Sequence, residues 1–144
     1  MSDPETPKAV TVYGLAQARA AVAAAARAGR PLILLSGPAA AASIGPAWFR
    51  ALVAQAADGH PGTGVTGVLD CAGFAGHALA ALRAGVGTIV YAGPAQARIE
   101  AIAARYGADV RRARPAALDA RAAGTGVRLD RALAAWLAVG DPEA

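Results

Sequence analysis

Short apolar runs and longer helical patterns alternate along the chain. The runs have the length of buried strands and stop at glycine, proline or charged residues. They lie at residues 10–13, 31–36, 65–70, 88–91 and 109–112. The second of them reads PLILLS, a continuous apolar run typical of a strand that is covered on both faces, as in parallel sheets. The last run carries charged residues, which predicts a strand at an edge of the sheet.

Amphipathic segments follow these runs, with apolar residues at three- and four-residue spacing and glycine or proline at their ends. Helices are predicted over 15–28, from Pro46 to Gly59, over 76–84, from Pro94 to Gly107, and in a last segment that ends at Gly140. Trp48 is expected on the buried stripe of the second helix, and Tyr106 is expected among the apolar positions of the fourth.

Five alternations of strand and helix predict an α/β fold. We expect a single domain over residues 9–140, with an open, mostly parallel five-stranded sheet and helices on both faces. The expected architecture is flavodoxin-like or receiver-like. Residues 1–8 are predicted to be a flexible tail, and residues 141–144 a C-terminal tail.

The segment 76–94, GHALAALRAGVGTIVYAGP, resembles the helix–strand–proline unit near the end of bacterial response-regulator receiver domains. It is also similar to units of many β/α-barrel enzymes. The resemblance implies a receiver-like sheet without the phosphorylation chemistry of receivers. Ser36 stands where the phosphoacceptor aspartate would fall, Ala92 replaces the usual lysine, and no acidic pair follows the first strand.

The sequence 62-GTGVTG-67 spells G-x-G-x-x-G, the motif of dinucleotide-binding turns. Such a turn requires the glycines after a strand and before a helix, because the pyrophosphate binds at the helix N-terminus. Here the glycines follow a predicted helix and precede a predicted strand. They are therefore interpreted as turn residues, and no cofactor is predicted.

Composition limits the remaining chemistry. Alanine accounts for 43 of the 144 residues, so the core must depend on Leu, Val and Ile and on close helix packing. The single cysteine, Cys71, excludes an intrachain disulfide. The two histidines, His60 and His77, lie far apart in the sequence, so we expect no His/Cys zinc site and predict no metal.

The N-terminal residues MSDPETPK are polar and acidic, unlike the basic start of a signal peptide. No run approaches 18 apolar residues without charge, glycine or proline, so no membrane span is expected. These features predict a soluble, cytoplasmic protein.

The formal net charge is +4, and the positive charge is concentrated in residues 98–131. That segment contains arginines at 98, 105, 111, 112, 114, 121, 128 and 131. Acids alternate with these arginines, and no set of aromatic residues accompanies them as in single-strand binders. A solvated charged face is therefore favoured, and we expect no specific nucleic-acid binding.

Ligands of open α/β sheets bind beyond the carboxyl ends of the strands. The candidate ligand-binding residues at these ends are Ser36, Gly37, Ser43, Asp70, Gly73 and Gly93. Accessible backbone amides and the N-terminus of the helix that begins near Pro46 favour a small anionic ligand. Beside an anion, Asp70 would have to be protonated, share a cation with the ligand, or pair with an arginine such as Arg112.

The favoured function is a non-catalytic interaction or ligand-binding module that binds a partner protein or its own copy. A homodimer is predicted because the last helix presents more apolar surface than a thin core is expected to absorb. The residues that make up this surface are Leu129, Leu133, Trp136 and Leu137.

The alternative is a small enzyme that acts on an anionic or carbonyl-containing metabolite. Asp70 would supply the chemistry, with Cys71 and His77 as helpers six residues apart across a strand-to-helix turn. One aspartate, one cysteine and one histidine are few groups for general acid–base catalysis, so the interaction module is preferred.

Overall fold

The structure, a computed structural model, describes residues 6–138. These residues form an α/β fold in which helices flank a parallel sheet. The strands are β1 (Lys8–Thr11), β2 (Leu32–Leu35), β3 (Val65–Asp70), β4 (Thr88–Val90), β5 (Asp109–Arg111) and β6 (Ala117–Asp119). Their order in the sheet is β5-β4-β3-β2-β1-β6.

Helices follow the first four strands as predicted, but a four-residue helix that precedes the last helix was not predicted. They are α1 (Leu15–Ala28), α2 (Pro46–Ala57), α3 (Ala75–Arg83), α4 (Gln96–Arg105), α5 (Ala120–Ala123) and α6 (Gly126–Ala138), with a short 3-10 turn at Ala40–Ala42. Within residues 6–138, none of the helices has the length and apolar character needed to cross a membrane. Gly140, the predicted end of the last helix, and residues 1–5 and 141–144 of the predicted tails lie outside the described residues.

The sheet has six strands, so the prediction of five is wrong. The missed strand, β6, is only three residues long and follows a proline–alanine stretch without β-branched residues. Its parallel pairing with β1 defines it, with Val10 opposite Leu118 and Thr11 opposite Asp119. A strand this short has no periodicity of its own, so local sequence cannot indicate it. The edge position predicted for the charged strand β5 is confirmed.

The contacts divide the described residues into two compact units. Unit 1 comprises residues 6–34, 52–66 and 116–138, and unit 2 comprises residues 35–51 and 67–115. The single domain expected over residues 9–140 stays a prediction.

The core of unit 1 forms where α1 packs against α6. Alanines of α1 such as Ala21 and Ala25 are fully buried, and small side chains allow the two helices to approach closely. Leu129, Leu133 and Leu137 of α6 are four residues apart and buried in the same core, and Trp136 packs against it.

Trp136 is also held by polar contacts within unit 1. Its indole N–H donates to the carbonyl of Ala9 at 2.9 Å, and the ammonium group of Lys8 lies 4.0 Å from the ring centroid. The apolar residues of α6 are therefore absorbed by the chain itself. The expectation that α6 presents more apolar surface than the core can bury is therefore wrong, and the homodimer itself stays a prediction.

We expect Leu133→Ala to lower the free energy of unfolding by about 2–5 kcal/mol, because it removes a fully buried side chain and leaves a cavity. Val127→Ala, at a 64% exposed position of the same helix, should change it by no more than about 0.5 kcal/mol. Urea denaturation of both variants checks this. Equal losses would show that α6 is not packed as described.

Candidate functional site

Asp70 is the central polar residue at the strand ends of unit 2. It closes β3 and is buried, with 3% of its surface exposed. Its Oδ1 accepts the backbone N–H of Ala72 at 2.8 Å, and its Oδ2 accepts a hydrogen bond from Arg114 at 2.7 Å. Its own backbone N–H donates to Oγ of Ser36 at 2.9 Å. Both carboxylate oxygens are thus engaged by the chain, and one of them closes an Asx turn.

Arg114, in the segment that follows β5, is the counter-ion of Asp70. The same Nη1 that bonds the carboxylate also donates to the carbonyl of Ser36 at 2.9 Å. The Arg114 side chain is 27% exposed, against 5% for that of Asp70. One guanidinium therefore joins the end of β2, the end of β3 and the segment after β5.

Arg112, suggested by the sequence as the partner of Asp70, pairs with Glu100 of α4 instead. Its Nε lies 2.9 Å from Oε2 of Glu100, and the Arg112 side chain is 71% exposed. Hydrogen bonds from Arg112 and then from Gln96 hold the pKa of Glu100 below its ordinary value. Because α4 packs beside β5, Glu100 lies close enough to pair with Arg112, the first arginine after β5. Arg114, two residues later, pairs with Asp70.

Cys71 follows Asp70 and is fully buried. Its thiol lies 3.8 Å from the carbonyl of Leu69, and its backbone N–H donates to the carbonyl of Val90 at 2.8 Å. Burial, and secondarily the negative charge of Asp70, raise the pKa of the Cys71 thiol to about 12. The thiol is therefore protonated near neutral pH, whereas the thiolate is the nucleophile.

His77, the other proposed helper, is exposed at the start of α3. Its ring packs edge-on against Phe74, with the centroids 5.6 Å apart and the planes at 82°. Among the described residues, no hydrogen bond joins His77 to Cys71 or Asp70. No contact between these groups therefore supports the enzyme hypothesis.

Gly73 and Gly93 lie in the turns after β3 and β4, and these turns approach each other closely. A Cβ at Gly73 would lie 3.0 Å from the carbonyl oxygen of Ala92. At Gly93 it would lie 2.7 Å from the Tyr91 hydroxyl, which accepts the backbone N–H of Ala95. The close approach of the two turns accounts for both glycines without a ligand.

The loop after β2 contains two serines, one buried and one exposed. Ser36 is buried, and its hydroxyl donates to the carbonyl of Gly37, also buried, at 3.2 Å. Ser43 is exposed after the 3-10 turn, and its hydroxyl donates to the carbonyl of Ala40 at 3.2 Å. Ala39 adopts the left-handed conformation, with φ of 54°, to begin this turn. The two hydroxyls thus bond within the loop and differ in access to solvent.

Large apolar side chains of unit 2 are exposed, which the helical pattern did not indicate. Trp48 is 50% exposed, so its predicted place on a buried stripe is wrong, whereas Phe49, Leu52 and Ala56 of the same helix are buried. Phe74 at the start of α3 is 50% exposed, and Tyr106 at the end of α4 is 54% exposed. Three-residue and four-residue spacings place neighbouring positions on one stripe, but the edge of that stripe depends on the packing partner.

A groove of about 380 Å³ lies between α3 and α4 in unit 2. We call it the α3–α4 groove, and its lining residues are Leu79, Arg83, Ile102, Arg105 and Tyr106. Nothing in the local sequence placed these side chains together, because they come from two helices.

Within the described part of the chain, no three His, Cys, Asp or Glu side chains are grouped as they would be around a metal ion. Comparison with known proteins adds no identity: no protein-family model matches the sequence, and no curated protein matches it. The function is therefore argued from the geometry of the chain.

We expect Asp70→Asn to lower the free energy of unfolding by about 1–3 kcal/mol, because Arg114 loses its charged partner while the bond to Ala72 can be kept. Glu100→Gln breaks the exposed ion pair with Arg112 and should cost clearly less. Chemical denaturation of the two variants tests the difference. Equal losses would contradict a stabilising role specific to Asp70.

The raised pKa of Cys71 predicts a pH dependence of stability. The unfolded thiol ionises near its ordinary pKa of 9.0 and the folded one near about 12, so the stabilisation is complete below pH 9 and is lost between these values. The slope should approach about 1.4 kcal/mol per pH unit. Urea denaturation at about pH 8 and about pH 10.5 should show a larger decrease for the wild type than for Cys71→Ala. Parallel decreases would disprove the linkage.

Proposed function

We propose that the chain is a non-catalytic interaction module that binds another protein through the exposed aromatic face of unit 2. We define this face by Trp48 and Phe74, which lie near the starts of α2 and α3. The observation that carries the proposal is a contrast within unit 2: its reactive groups are engaged internally, while its large aromatic side chains are about half exposed.

The state of the strand-end groups supports a structural role for them. Both oxygens of Asp70 accept hydrogen bonds from the chain, and Arg114 is its counter-ion. The Ser36 hydroxyl accepts one hydrogen bond and donates another, and the Cys71 thiol is buried and protonated. The alternative of an enzyme that uses Asp70, Cys71 and His77 therefore has less support.

The hydrogen-bonded turn after β3 supports binding of another protein, because it fixes the backbone next to Phe74. Asp70 holds Ala72 by its Asx bond, and the next bond in the turn runs from the N–H of Phe74 to the carbonyl of Cys71 at 3.0 Å. Phe74 is thus presented on a fixed backbone at the beginning of α3. A preorganised aromatic side chain loses little conformational freedom on binding, and aromatic residues are enriched among the residues that contribute most to interfaces.

The other expectations stay predictions. A small anion at the strand ends would have to compete with Asp70 for Arg114, so we do not favour it. Self-association stays a prediction, but α6 is no longer the expected interface because its leucines are buried. A second copy of the chain is one partner that the aromatic face could bind. The flavodoxin-like or receiver-like kinship and the cytoplasmic location are likewise untested.

Site-specific photo-crosslinking tests the proposal. A benzophenone side chain at position 48 or 74, in cells that make this chain, should crosslink the same protein. Position 127, an isolated exposed valine of unit 1, should not crosslink it. For the purified partner, Trp48→Ser and Phe74→Ser should each weaken binding about tenfold or more without changing the melting temperature.

Equal crosslinking at all three positions would contradict the proposal. So would turnover of a metabolite by the purified chain that Asp70→Asn abolishes while the fold is retained.

A further inference from the structure

The α3–α4 groove combines an apolar part with a cationic end. Leu79 and Ile102, one from each helix, line it and are half-buried. Arg83 lies four residues after Leu79, and Arg105 lies three residues after Ile102, so each cation is one helical turn beyond the apolar residue on the same face. The two arginines are the last residues of their helices.

The positive charge of the groove is uncompensated. Arg83 and Arg105 are exposed, and within residues 6–138 the side chain of neither makes a hydrogen bond or an ion pair. No acidic residue lines the groove. Each helix C-terminus contributes only about half a negative charge, so two full positive charges dominate the local field.

We propose that the α3–α4 groove binds an acidic amphipathic helix of a partner protein. Leucine-like side chains of that helix fill the space above Leu79 and Ile102, and carboxylates one turn further pair with Arg83 and Arg105. This inference goes beyond the proposed function: the groove lies at the ends of α3 and α4, contains neither Trp48 nor Phe74, and is a second contact site for a partner protein.

The shape and the lining residues favour this occupant. Helices that bind in grooves present apolar anchors on one face, and this groove provides two apolar and two cationic side chains for such a face. Arginine forms bidentate bonds with carboxylates, and arginine and tyrosine are the residue types that most often dominate binding energy. A nucleic acid would make no apolar contact with Leu79 and Ile102. A membrane surface would require apolar side chains that protrude, whereas these two lie within a groove.

The volume is consistent with side chains rather than an enclosed ligand. About 380 Å³ lies near the lower end of the range for small-molecule pockets, roughly 300–1,000 Å³. Because three of the lining side chains, those of Arg83, Arg105 and Tyr106, are exposed, the groove would leave much of a small molecule in water.

Binding of designed helical peptides tests the inference. The probe is a helix of about 18 residues, with leucine on one face and glutamate one turn after each leucine. One control peptide carries lysine for glutamate, and another carries serine for leucine. Fluorescence anisotropy should show saturable binding of the first peptide only, and NMR shifts should map to Leu79, Ile102 and Tyr106.

Charge reversal supplies the matched variants. Arg83→Glu with Arg105→Glu should weaken binding of the acidic peptide at least about tenfold and should create binding of the lysine peptide. Arg19→Glu with Arg27→Glu makes the same change of charge on α1, including a last-turn arginine, and should keep the wild-type affinity within about twofold. Tyr106→Ser, at an exposed position, should weaken binding without loss of fold.

Several results would overturn the inference. These are the absence of saturable binding up to about 1 mM peptide, equal binding of the serine peptide, displacement by inorganic phosphate alone, or equal effects of the two double variants. Such a result, with position-specific crosslinks at 48 and 74 retained, rejects the groove as the site and leaves the proposed function. Loss of both rejects both.

Discussion

The ion pair between Asp70 and Arg114 is the interaction on which the strand-end region of unit 2 depends. A carboxylate that is only 5% exposed at its side chain is costly to bury unless it is paired and hydrogen-bonded. Arg114 provides the charge, and the N–H of Ala72 provides the second bond. Because Arg114 also bonds the carbonyl of Ser36, one guanidinium fixes three segments that are distant in sequence.

The hydrogen bonds and the ion pair of Asp70 also limit the chemistry of the strand-end region. Both oxygens of the Asp70 carboxylate accept hydrogen bonds from the chain, and the Cys71 thiol is buried and protonated near neutral pH. The turn after β3 fixes the backbone at Phe74, and the α3–α4 groove provides positive charge and apolar surface.

Much of the fold could be predicted from local sequence. The bounds predicted for α1 (Leu15–Ala28) and β3 (Val65–Asp70) are those observed, because their apolar periodicity and flanking glycine and charged residues are strong local signals. The position of the glycine motif at 62–67 between a helix and a strand was also predictable, since α2 ends at Ala57 and β3 includes the last of these glycines. Strand β6 was not predictable, because pairing with β1 alone defines it.

The sequence by itself determined the α/β class and the polar residues at the strand ends, because both follow from local patterning. Only the tertiary structure decided that Arg114 meets Asp70, since Glu100 on a separate helix captures the competing Arg112. It alone decided that Tyr106 is exposed and that Arg83 and Arg105 share a groove. These features depend on distances between elements, and a linear pattern contains only the spacing within each element.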